Sequence, residues 1–184
     1  DLAGEVEAVG KDVSRFKPGD AVFGRPDPEL GAHAEYICIA EQGVLATKPA
    51  SMSWEEAACL PLAANTALYF IRDLGNVQAG QRVLINGASG GIGTFAVQLA
   101  KYYGAHVTGV CSTGNVEMVK SLEADRVIDY TQEDFTRGGE PYDAILDVVG
   151  KSSYPRCRNV LKKEGLYLAT LPTIAIVLQT VWTS

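Results

Sequence analysis

This 184-residue sequence lacks a long apolar run, an excess of basic charge and a paired-cysteine motif. No apolar run approaches the roughly 20 residues of a membrane-spanning helix. The formal net charge of −6 disfavours binding to nucleic acid or to an anionic membrane. The cysteines are far apart and include no C-x-x-C pair, which argues against a disulfide framework or a cysteine-type zinc site; they are Cys38, Cys59, Cys111 and Cys157. We expect a cytoplasmic protein of a reducing compartment.

The sequence also lacks an initiator methionine and begins, at residues 1–4, in the middle of a strand-like pattern. An apolar tail after Pro172 ends without a further recognisable element. We therefore expect that the chain is a fragment without its natural ends. Any targeting segment would then lie outside it.

The most informative stretch of the sequence is Arg82–Tyr103. It opens on the short apolar run Val83–Ile85, typical of a strand that is buried on both faces. The glycine-rich turn Asn86–Gly93 follows, and apolar residues then recur at helical spacing. Strand, glycine turn and helix in this order indicate a dinucleotide-binding site, in which backbone amides and a helix N-terminus bind a pyrophosphate.

The glycine spacing of this turn fits the G-x-G-x-x-G fingerprint incompletely. Ala88 stands where the first glycine belongs, whereas Gly90 and Gly93 keep the spacing of the second and third. A plain glycine turn between a strand and a helix is the alternative interpretation. The flanking strand and helix favour nucleotide binding.

Residues 1–50 have a β pattern with too few strands to close a core alone, and we predict strands at 2–9, 21–23 and 32–40. Ser53 with the following acids at 55 and 56 indicates a helix N-cap. The helical pattern continues to Leu74, and Pro61 restarts it as a first-turn residue.

From residue 82 onward strands and helices alternate. We predict strands at 82–86, 106–111, 126–129, 143–148 and 165–169, and helices at 91–103, 115–123, 131–136 and 152–162. Such alternation is typical of the α/β class with a Rossmann-type doubly wound parallel sheet, whose ligands bind at the carboxyl ends of the strands.

The cofactor preference depends on the end of the second strand of this sheet. An NAD-type site usually has a carboxylate there, but this sequence has Ser112, Thr113 and Asn115. Without a carboxylate to repel it, a 2′-phosphate could accept hydrogen bonds from these groups and from Tyr130 after the next strand. The alternative is that they merely cap the helix at 115–123. We predict NADPH in preference to NADH.

The whole sequence resembles the medium-chain dehydrogenase/reductase superfamily, and within it the zinc-independent quinone oxidoreductase (zeta-crystallin-like) branch. The resemblance rests on D-L-A-G-E-V-E-A-V-G at 1–10, F-K-P-G-D-A-V-F-G at 16–24, G-A-H-A-E-Y at 31–36, L-P-L-A-A-N-T-A at 60–67, N-G-A-S-G-G-I-G at 86–93, A-D-R-V-I-D-Y at 124–130 and Y-D-A-I-L-D-V-V-G at 142–150. It implies a partial GroES-like catalytic domain at 1–50 and a C-terminally incomplete Rossmann NADP-binding domain at 51–184. It also implies a homodimeric full-length protein.

The resemblance further implies where the parts of the cofactor lie. The glycine turn would contact the pyrophosphate, and the ends of the next two strands would contact the adenosine phosphate. Asn65, Thr66, Val149, Thr170 and Leu171 would lie near the nicotinamide. The cofactor-binding residues expected in this way are Asn65, Thr66, Ser89, Gly90, Gly91, Ile92, Gly93, Ser112, Thr113, Asn115, Tyr130, Val149, Thr170 and Leu171. Many relatives have Lys at the position of Asn115, which would weaken NADPH binding here.

The sequence does not favour a bound zinc. Zinc-dependent relatives have a cysteine ligand four residues before the threonine that matches Thr66, and Leu62 stands there. Cysteines are also missing from 24–31, where the structural-zinc lobe of those relatives falls. We expect no metal. No catalytic residue is assigned, because the two histidines and Tyr69 are better explained by structural roles.

We therefore expect an NADPH-dependent oxidoreductase that transfers a hydride to a quinone or an α,β-unsaturated carbonyl in the cleft between the two domains. Small molecules, and neither nucleic acid nor membrane, are its expected partners. Two alternatives stay open at this point: a non-catalytic NADPH-binding or scaffolding protein on the same fold, and a zinc-dependent alcohol dehydrogenase.

Overall fold

A computed structural model of the chain describes residues 1–26 and 31–171. The chain divides into two compact units, with the boundary between Asn65 and Thr66. The functional domain boundary after residue 50 stays a prediction.

The first unit contains a three-stranded antiparallel sheet in the order β1-β2-β3. Its strands are β1 (Leu2–Glu5), β2 (Ala21–Arg25) and β3 (Val44–Thr47). The turn before β2 contains Gly19, whose φ of +88° is a conformation that glycine adopts more readily than other residues. The strands predicted at 2–9 and 21–23 are thus present with different ends.

The strand predicted at 32–40 is wrong, and β3 was not predicted. A strand needs a neighbour that pairs with its backbone groups, and none of the described strands pairs with this segment. Its side chains are largely exposed, Tyr36 by 74%. The alternating apolar residues of this segment therefore have no core to pack against, and a strand register is not specified.

Helical turns link the two sheets along the chain, as predicted. They comprise α1 (Trp54–Ala58), the π-helical Leu60–Ala64, α2 (Asn65–Leu68) and the π-helical Tyr69–Leu74. Ser53 is confirmed as the N-cap: its hydroxyl accepts from the Glu56 amide at 3.1 Å, and the Glu56 carboxylate accepts from the Ser53 amide at 2.8 Å. This reciprocal pair is a capping box. Pro61 lies in the first turn of the next segment.

The second unit contains a five-stranded parallel sheet in the order β6-β5-β4-β7-β8. The strands are β4 (Arg82–Asn86), β5 (His106–Cys111), β6 (Arg126–Asp129), β7 (Tyr142–Asp147) and β8 (Leu161–Ala169). All five predicted strands are confirmed, three with the same ends. The chain leaves β4 toward β5 and later returns to its other side as β7, which is the doubly wound arrangement.

Three helices connect these strands: α3 (Gly91–Tyr102), α4 (Val116–Ser121) and α5 (Tyr154–Cys157). The helix predicted at 131–136 is wrong. There the Asp129 carboxylate accepts from the Thr131 amide at 2.9 Å, and the Asp134 carboxylate accepts from the Thr136 amide at 3.0 Å. Such local side-chain bonds satisfy the backbone in turns and so compete with a helix.

The helix predicted at 152–162 is also too long. Only α5 and one 3₁₀ turn, Arg158–Val160, are helical, and the chain then enters β8. Leu161 pairs with Tyr142 of β7 and packs on the core, so the neighbouring strand draws this residue into the sheet.

Alternate strand residues bury their side chains on opposite faces of the parallel sheet. On one face Val83 and Ile85 pack with Ala96, Val97 and other residues of α3. On the other face Leu84 packs among side chains that include Cys157 and Val160. In the described part of the chain no helix has both the length and the apolar character needed to cross a membrane.

Candidate cofactor site

A pocket of about 960 Å³ opens in the second unit, where its parallel strands end. The residues that line it follow four neighbouring strands. They are Asn86, Gly87, Ser89 and Gly90 after β4; Val110, Cys111 and Ser112 at the end of β5; Tyr130, Glu133, Asp134 and Phe135 after β6; and Val148, Val149, Lys151, Ser152 and Arg156 after β7. This is the edge at which open α/β sheets bind ligands.

The turn after β4 depends on glycine at two positions. Gly87 has a φ of +91°, and a Cβ there would lie 2.4 Å from Cγ2 of Val149. A Cβ on Gly93 would lie 2.1 Å from the carbonyl oxygen of Gly87. Gly87 therefore performs the tight-turn role that the fingerprint gives to its first glycine, and Ala88 is accommodated as a buried residue. The incomplete match in the sequence is a shift by one position.

The N-terminus of α3 presents backbone donors beside this turn. The first intrahelical bond runs from the Thr94 amide to the Gly90 carbonyl at 2.9 Å, so the amides of Gly91, Ile92 and Gly93 have no acceptor within the helix. The N-cap residue makes no side-chain capping bond, and the first turn carries no acid. The Gly90 amide, by contrast, donates to the Gly87 carbonyl at 3.0 Å. Three donors and the positive helix end fit a diphosphate.

Ser112 lies at the N-cap of the 3₁₀ turn Thr113–Asn115 and Asn115 at the N-cap of α4, but their side chains do not cap these elements. Neither side chain makes a capping bond; instead the Asn115 amide nitrogen donates to the Ser112 hydroxyl oxygen at 3.1 Å. Because this hydroxyl accepts from Asn115, its proton can be donated to a ligand. The alternative that these polar residues serve only as caps loses its support.

Thr113 differs from its neighbours, because its hydroxyl proton is already used. It donates to the Asp129 carboxylate at 2.6 Å, and the same carboxylate accepts from the Thr131 hydroxyl and amide at 2.8 and 2.9 Å. The bond from Thr113 and those from Thr131 lower the pKa of Asp129. A charged carboxylate thus lies beside the hydroxyl donors that the sequence predicted at the ends of β5 and β6. The position of Asp129 at the end of a predicted strand was the available signal.

Two predicted side chains face the pocket from opposite sides. Tyr130 is 60% exposed, and its amide donates to the Cys111 carbonyl at 3.0 Å, which joins the ends of β6 and β5. Val149 is 41% exposed.

Burial, followed by the charge of Asp129, raises the pKa of the Cys111 thiol. The thiol that lines this pocket is therefore protonated at neutral pH.

The pocket also contains charged residues that the sequence analysis did not select. Arg156 lies 3.6 Å from the Asp134 carboxylate, and Glu133 pairs with Arg126 at 2.7 Å. Lys151 lies on the same lining. Lys151 and Arg156 follow β7, the fourth strand of the parallel sheet along the chain, so no pattern near the end of β5 could have revealed that these cations share its pocket.

The predicted cofactor residues therefore divide into three groups. Ser89, Gly90, Ser112, Tyr130 and Val149 line the pocket, and Gly91, Ile92, Gly93, Thr113 and Asn115 lie on the elements that frame it. Asn65, Thr66, Thr170 and Leu171 are not among its lining residues. The side-chain amide of Asn65 donates to the Pro61 carbonyl at 3.0 Å. Roles for these four at the nicotinamide stay predictions.

The described ranges, 1–26 and 31–171, bring no three His, Cys, Asp or Glu side chains together as a metal site. Leu62 stands where zinc-dependent relatives have a cysteine ligand, and its amide donates to the Asp1 carboxylate at 3.1 Å. His106 begins β5, at the opposite end of that strand from the pocket.

Comparison with known proteins finds several similar oxidoreductases. A family described as zinc-binding dehydrogenase matches residues 91–170. The chain is 42% identical, over 94% of its length and 46% of the relative, to the human protein named NAD(P)H oxidoreductase RTN4IP1, mitochondrial. It is 38% identical, over 90% of the chain and 44% of the relative, to 2-methylene-furan-3-one reductase of Solanum lycopersicum.

Two solved structures are similar throughout the chain. The quinone oxidoreductase of Coxiella burnetii has a TM-score of 0.85 at 33% identity, over 98% of this chain and 58% of that one. The Escherichia coli quinone oxidoreductase complexed with NADPH has a TM-score of 0.82 at 28% identity, over 96% and 58%.

Residues 91–170 match the zinc-binding dehydrogenase family, and the similar solved structures are quinone oxidoreductases of the medium-chain dehydrogenase/reductase superfamily. The chain spans about half the length of the curated relatives that it matches. The Rossmann-type sheet is thus confirmed, and the GroES-like domain is a feature of the structural neighbours.

Proposed function

We propose that the full-length protein is an NADPH-dependent oxidoreductase that transfers a hydride to a quinone or an α,β-unsaturated carbonyl. The observation that carries this proposal is the glycine turn between β4 and α3, which leaves three amide donors beside a pocket of about 960 Å³. The similarity to quinone oxidoreductases and to a 2-methylene-furan-3-one reductase supports it independently.

The residues of the turn fit a dinucleotide because they keep the backbone free of side chains where a diphosphate would lie. The amides of Gly91, Ile92 and Gly93 would donate to its oxygens. The adenosine would lie toward Cys111, Ser112 and the loop after β6. The bound cofactor supplies the hydride, and the protein orients it and excludes water.

NADPH rather than NADH is favoured by two donors near the end of the second strand. The Ser112 hydroxyl and the Tyr130 phenol can each donate to a 2′-phosphate, and a structural neighbour is a quinone oxidoreductase complexed with NADPH. The carboxylate of Asp129 opposes this preference, so we propose a moderate rather than an absolute selectivity.

The substrate class follows from the chemistry that similar proteins carry in their names. A quinone and a 2-methylene-furan-3-one both contain an electron-poor C=C bond conjugated to a carbonyl group. Hydride addition to that bond places negative charge on the carbonyl oxygen, which a hydrogen-bond donor can stabilise without a metal. Because Leu62 replaces the zinc-ligand cysteine of zinc-dependent relatives, we propose a reaction that needs no zinc.

The deciding experiment is turnover by the full-length protein. NADPH oxidation is followed by absorbance with a panel of quinones and enones, and cofactor binding is measured separately by fluorescence. Oxidation that depends on a quinone or enone supports the proposal. Binding without turnover on every acceptor would favour the non-catalytic alternative, and turnover of alcohols with about one zinc per chain would favour the zinc-dependent alcohol dehydrogenase.

A cytoplasmic location and a homodimer also stay predictions. A similar human protein is named as mitochondrial, so fractionation of cells must decide the compartment. Size-exclusion chromatography with light scattering of the full-length protein measures its oligomeric state.

A further inference from the structure

Asp147, the last residue of β7, is a fully buried acid with 0% exposure. Its oxygen Oδ1 accepts from the Asn86 side-chain amide and from the backbone amides of Val149 and Gly150, each at 3.0 Å. Its oxygen Oδ2 accepts from the Ser152 amide and the Tyr167 hydroxyl, also at 3.0 Å. Five donors therefore converge on one side chain.

This arrangement suits an ionised carboxylate, whose two oxygens only accept hydrogen bonds. In the described part of the chain, no basic side chain forms an ion pair with Asp147. Burial of a charge is costly unless hydrogen bonds offset it. Here neutral donors provide that compensation, and three of them are backbone amides of a single loop.

That loop, residues 148–152, forms one wall of the cofactor pocket. Its Val149 side chain lies against Gly87, since a Cβ at Gly87 would be 2.4 Å from Val149 Cγ2. The adjacent wall begins at Asn86, which is itself bonded to Asp147. The Val148 amide also donates to the Asn86 carbonyl at 3.1 Å. Asp147 thus connects the loop after β7 to the glycine turn after β4.

We propose that Asp147 is a positioning residue that fixes these two walls of the pocket relative to each other before the cofactor binds. This inference rests on the proposed function, because it gives the pocket a nicotinamide cofactor as its ligand. Asp147 itself lies beneath the pocket lining and acts through the amides that it holds.

The test is Asp147→Asn in the full-length protein. Asparagine keeps one acceptor oxygen and replaces the other with an NH₂ group, so in the better orientation Oδ1 is retained and Oδ2 is lost. The Tyr167 hydroxyl can then rotate to accept, but the Ser152 amide is left without an acceptor. We expect the dissociation constants of NADPH and NADH to rise by the same factor, about tenfold or more.

Tyr167→Phe is the matched control. It removes the donor that comes from β8 and not from a wall of the pocket. The four bonds from Asn86, Val149, Gly150 and Ser152 remain. We expect its dissociation constants for both cofactors to stay within about twofold of wild type, even where its melting temperature falls as far as that of Asp147→Asn. Equal loss of cofactor affinity in both variants would show that Asp147 contributes only to the stability of the fold, and this result would overturn the proposal.

Ser112→Ala separates positioning from phosphate recognition. It should weaken NADPH and leave NADH unchanged, because it removes a donor to the 2′-phosphate only. A folded Asp147→Asn protein with unchanged affinity for both cofactors overturns the positioning role but leaves the proposed function intact. Wild-type protein that binds neither cofactor overturns the proposed function instead.

Hydrogen exchange on the wild-type protein provides a measurement that needs no variant. The amides of Val149, Gly150 and Ser152 should be protected without cofactor, in contrast to the exposed loop at 138–140. Exchange of the three amides as fast as in that loop, with protection only after NADPH is added, would mean that the ligand and not Asp147 orders this wall.

Discussion

Asp129 shows how a single carboxylate can change the meaning of a polar sequence. Ser112 and Thr113 look alike as donors to a phosphate, but Thr113 donates to Asp129 at 2.6 Å while Ser112 accepts from Asn115. Only Ser112 keeps a proton for a ligand. We expect the charge of Asp129 to repel a phosphate bound near Thr113 and so to lower the affinity for NADPH relative to NADH.

We therefore expect Asp129→Asn to strengthen NADPH binding roughly three- to tenfold while NADH binding changes little, because the change removes a charge that repels the 2′-phosphate. Fluorescence titration of the full-length protein with each cofactor measures this ratio. Glu164→Gln, the same loss of charge on an exposed residue of β8, is the control. A parallel change in NADPH and NADH affinity would show that Asp129 acts only on the loop structure.

At the scale of elements, the turn between β4 and α3 is defined by how closely two backbones approach. The Cβ absent from Gly93 would overlap the Gly87 carbonyl oxygen at 2.1 Å. A backbone oxygen cannot rotate away as a side chain can, so a larger residue must displace the start of α3. The amide donors of the candidate phosphate site would move with it.

Gly93→Ala is accordingly expected to lower the free energy of unfolding by about 2 kcal/mol and to abolish measurable cofactor binding. Chemical denaturation and fluorescence titration give the two quantities. Gly4→Ala provides the control, because a Cβ there meets no atom within 4 Å. Normal NADPH affinity in a folded Gly93→Ala protein would exclude a close approach of the cofactor to this helix end.

The segment after β6 is held by two carboxylates in place of a helix. Hydrogen bonds from Thr113 and Thr131 lower the pKa of Asp129, and those from the Thr136 hydroxyl and amide lower the pKa of Asp134. A carboxyl group with a depressed pKa in the folded state stabilises the protein above its ordinary pKa, and this contribution is lost as the pH falls through the folded value.

We expect the segment 130–136 to loosen below about pH 4, near the ordinary pKa of an aspartic acid, before the parallel sheet unfolds. Hydrogen exchange at Thr131 and Thr136, compared with core amides of β4 over a pH series, tests this order. Simultaneous loss of protection in both regions would contradict it.

At the scale of the whole molecule, the pocket lies wholly within the second unit, whereas the predicted nicotinamide contacts include Asn65 of the first unit. The adenosine half of the cofactor should therefore bind to elements of the second unit alone. Adenosine 2′,5′-bisphosphate contains this half without the nicotinamide.

We expect adenosine 2′,5′-bisphosphate to raise the melting temperature of the full-length protein, and NADPH to raise it further. A ligand present at 100 times its dissociation constant stabilises the folded state by about 2.7 kcal/mol. Thermal melts over a concentration series measure both effects. Stabilisation by NADPH with none from the bisphosphate would argue against the pocket as the adenosine site.

The sequence by itself determined the parallel sheet and its glycine turn. The ends of β4, β5 and β6 agree with the prediction because each is a short apolar run bounded by turn residues. It did not determine the segments at 32–40 and 131–136. No strand among the described residues pairs with 32–40, so this segment forms no strand. In 131–136 the carboxylates of Asp129 and Asp134 accept from nearby amides, and no helix forms.

The tertiary structure alone decided which polar groups share the pocket. Arg156 after β7 lines the same pocket as Ser112 after β5, and β4 lies between these two strands. Asp147 accepts hydrogen bonds from Asn86, 61 positions earlier, and from Tyr167, 20 positions later. Sequence patterns report the periodicity with which neighbouring residues are buried, because that depends on local backbone geometry. The partners of a buried charge depend on strand order, which no local pattern contains.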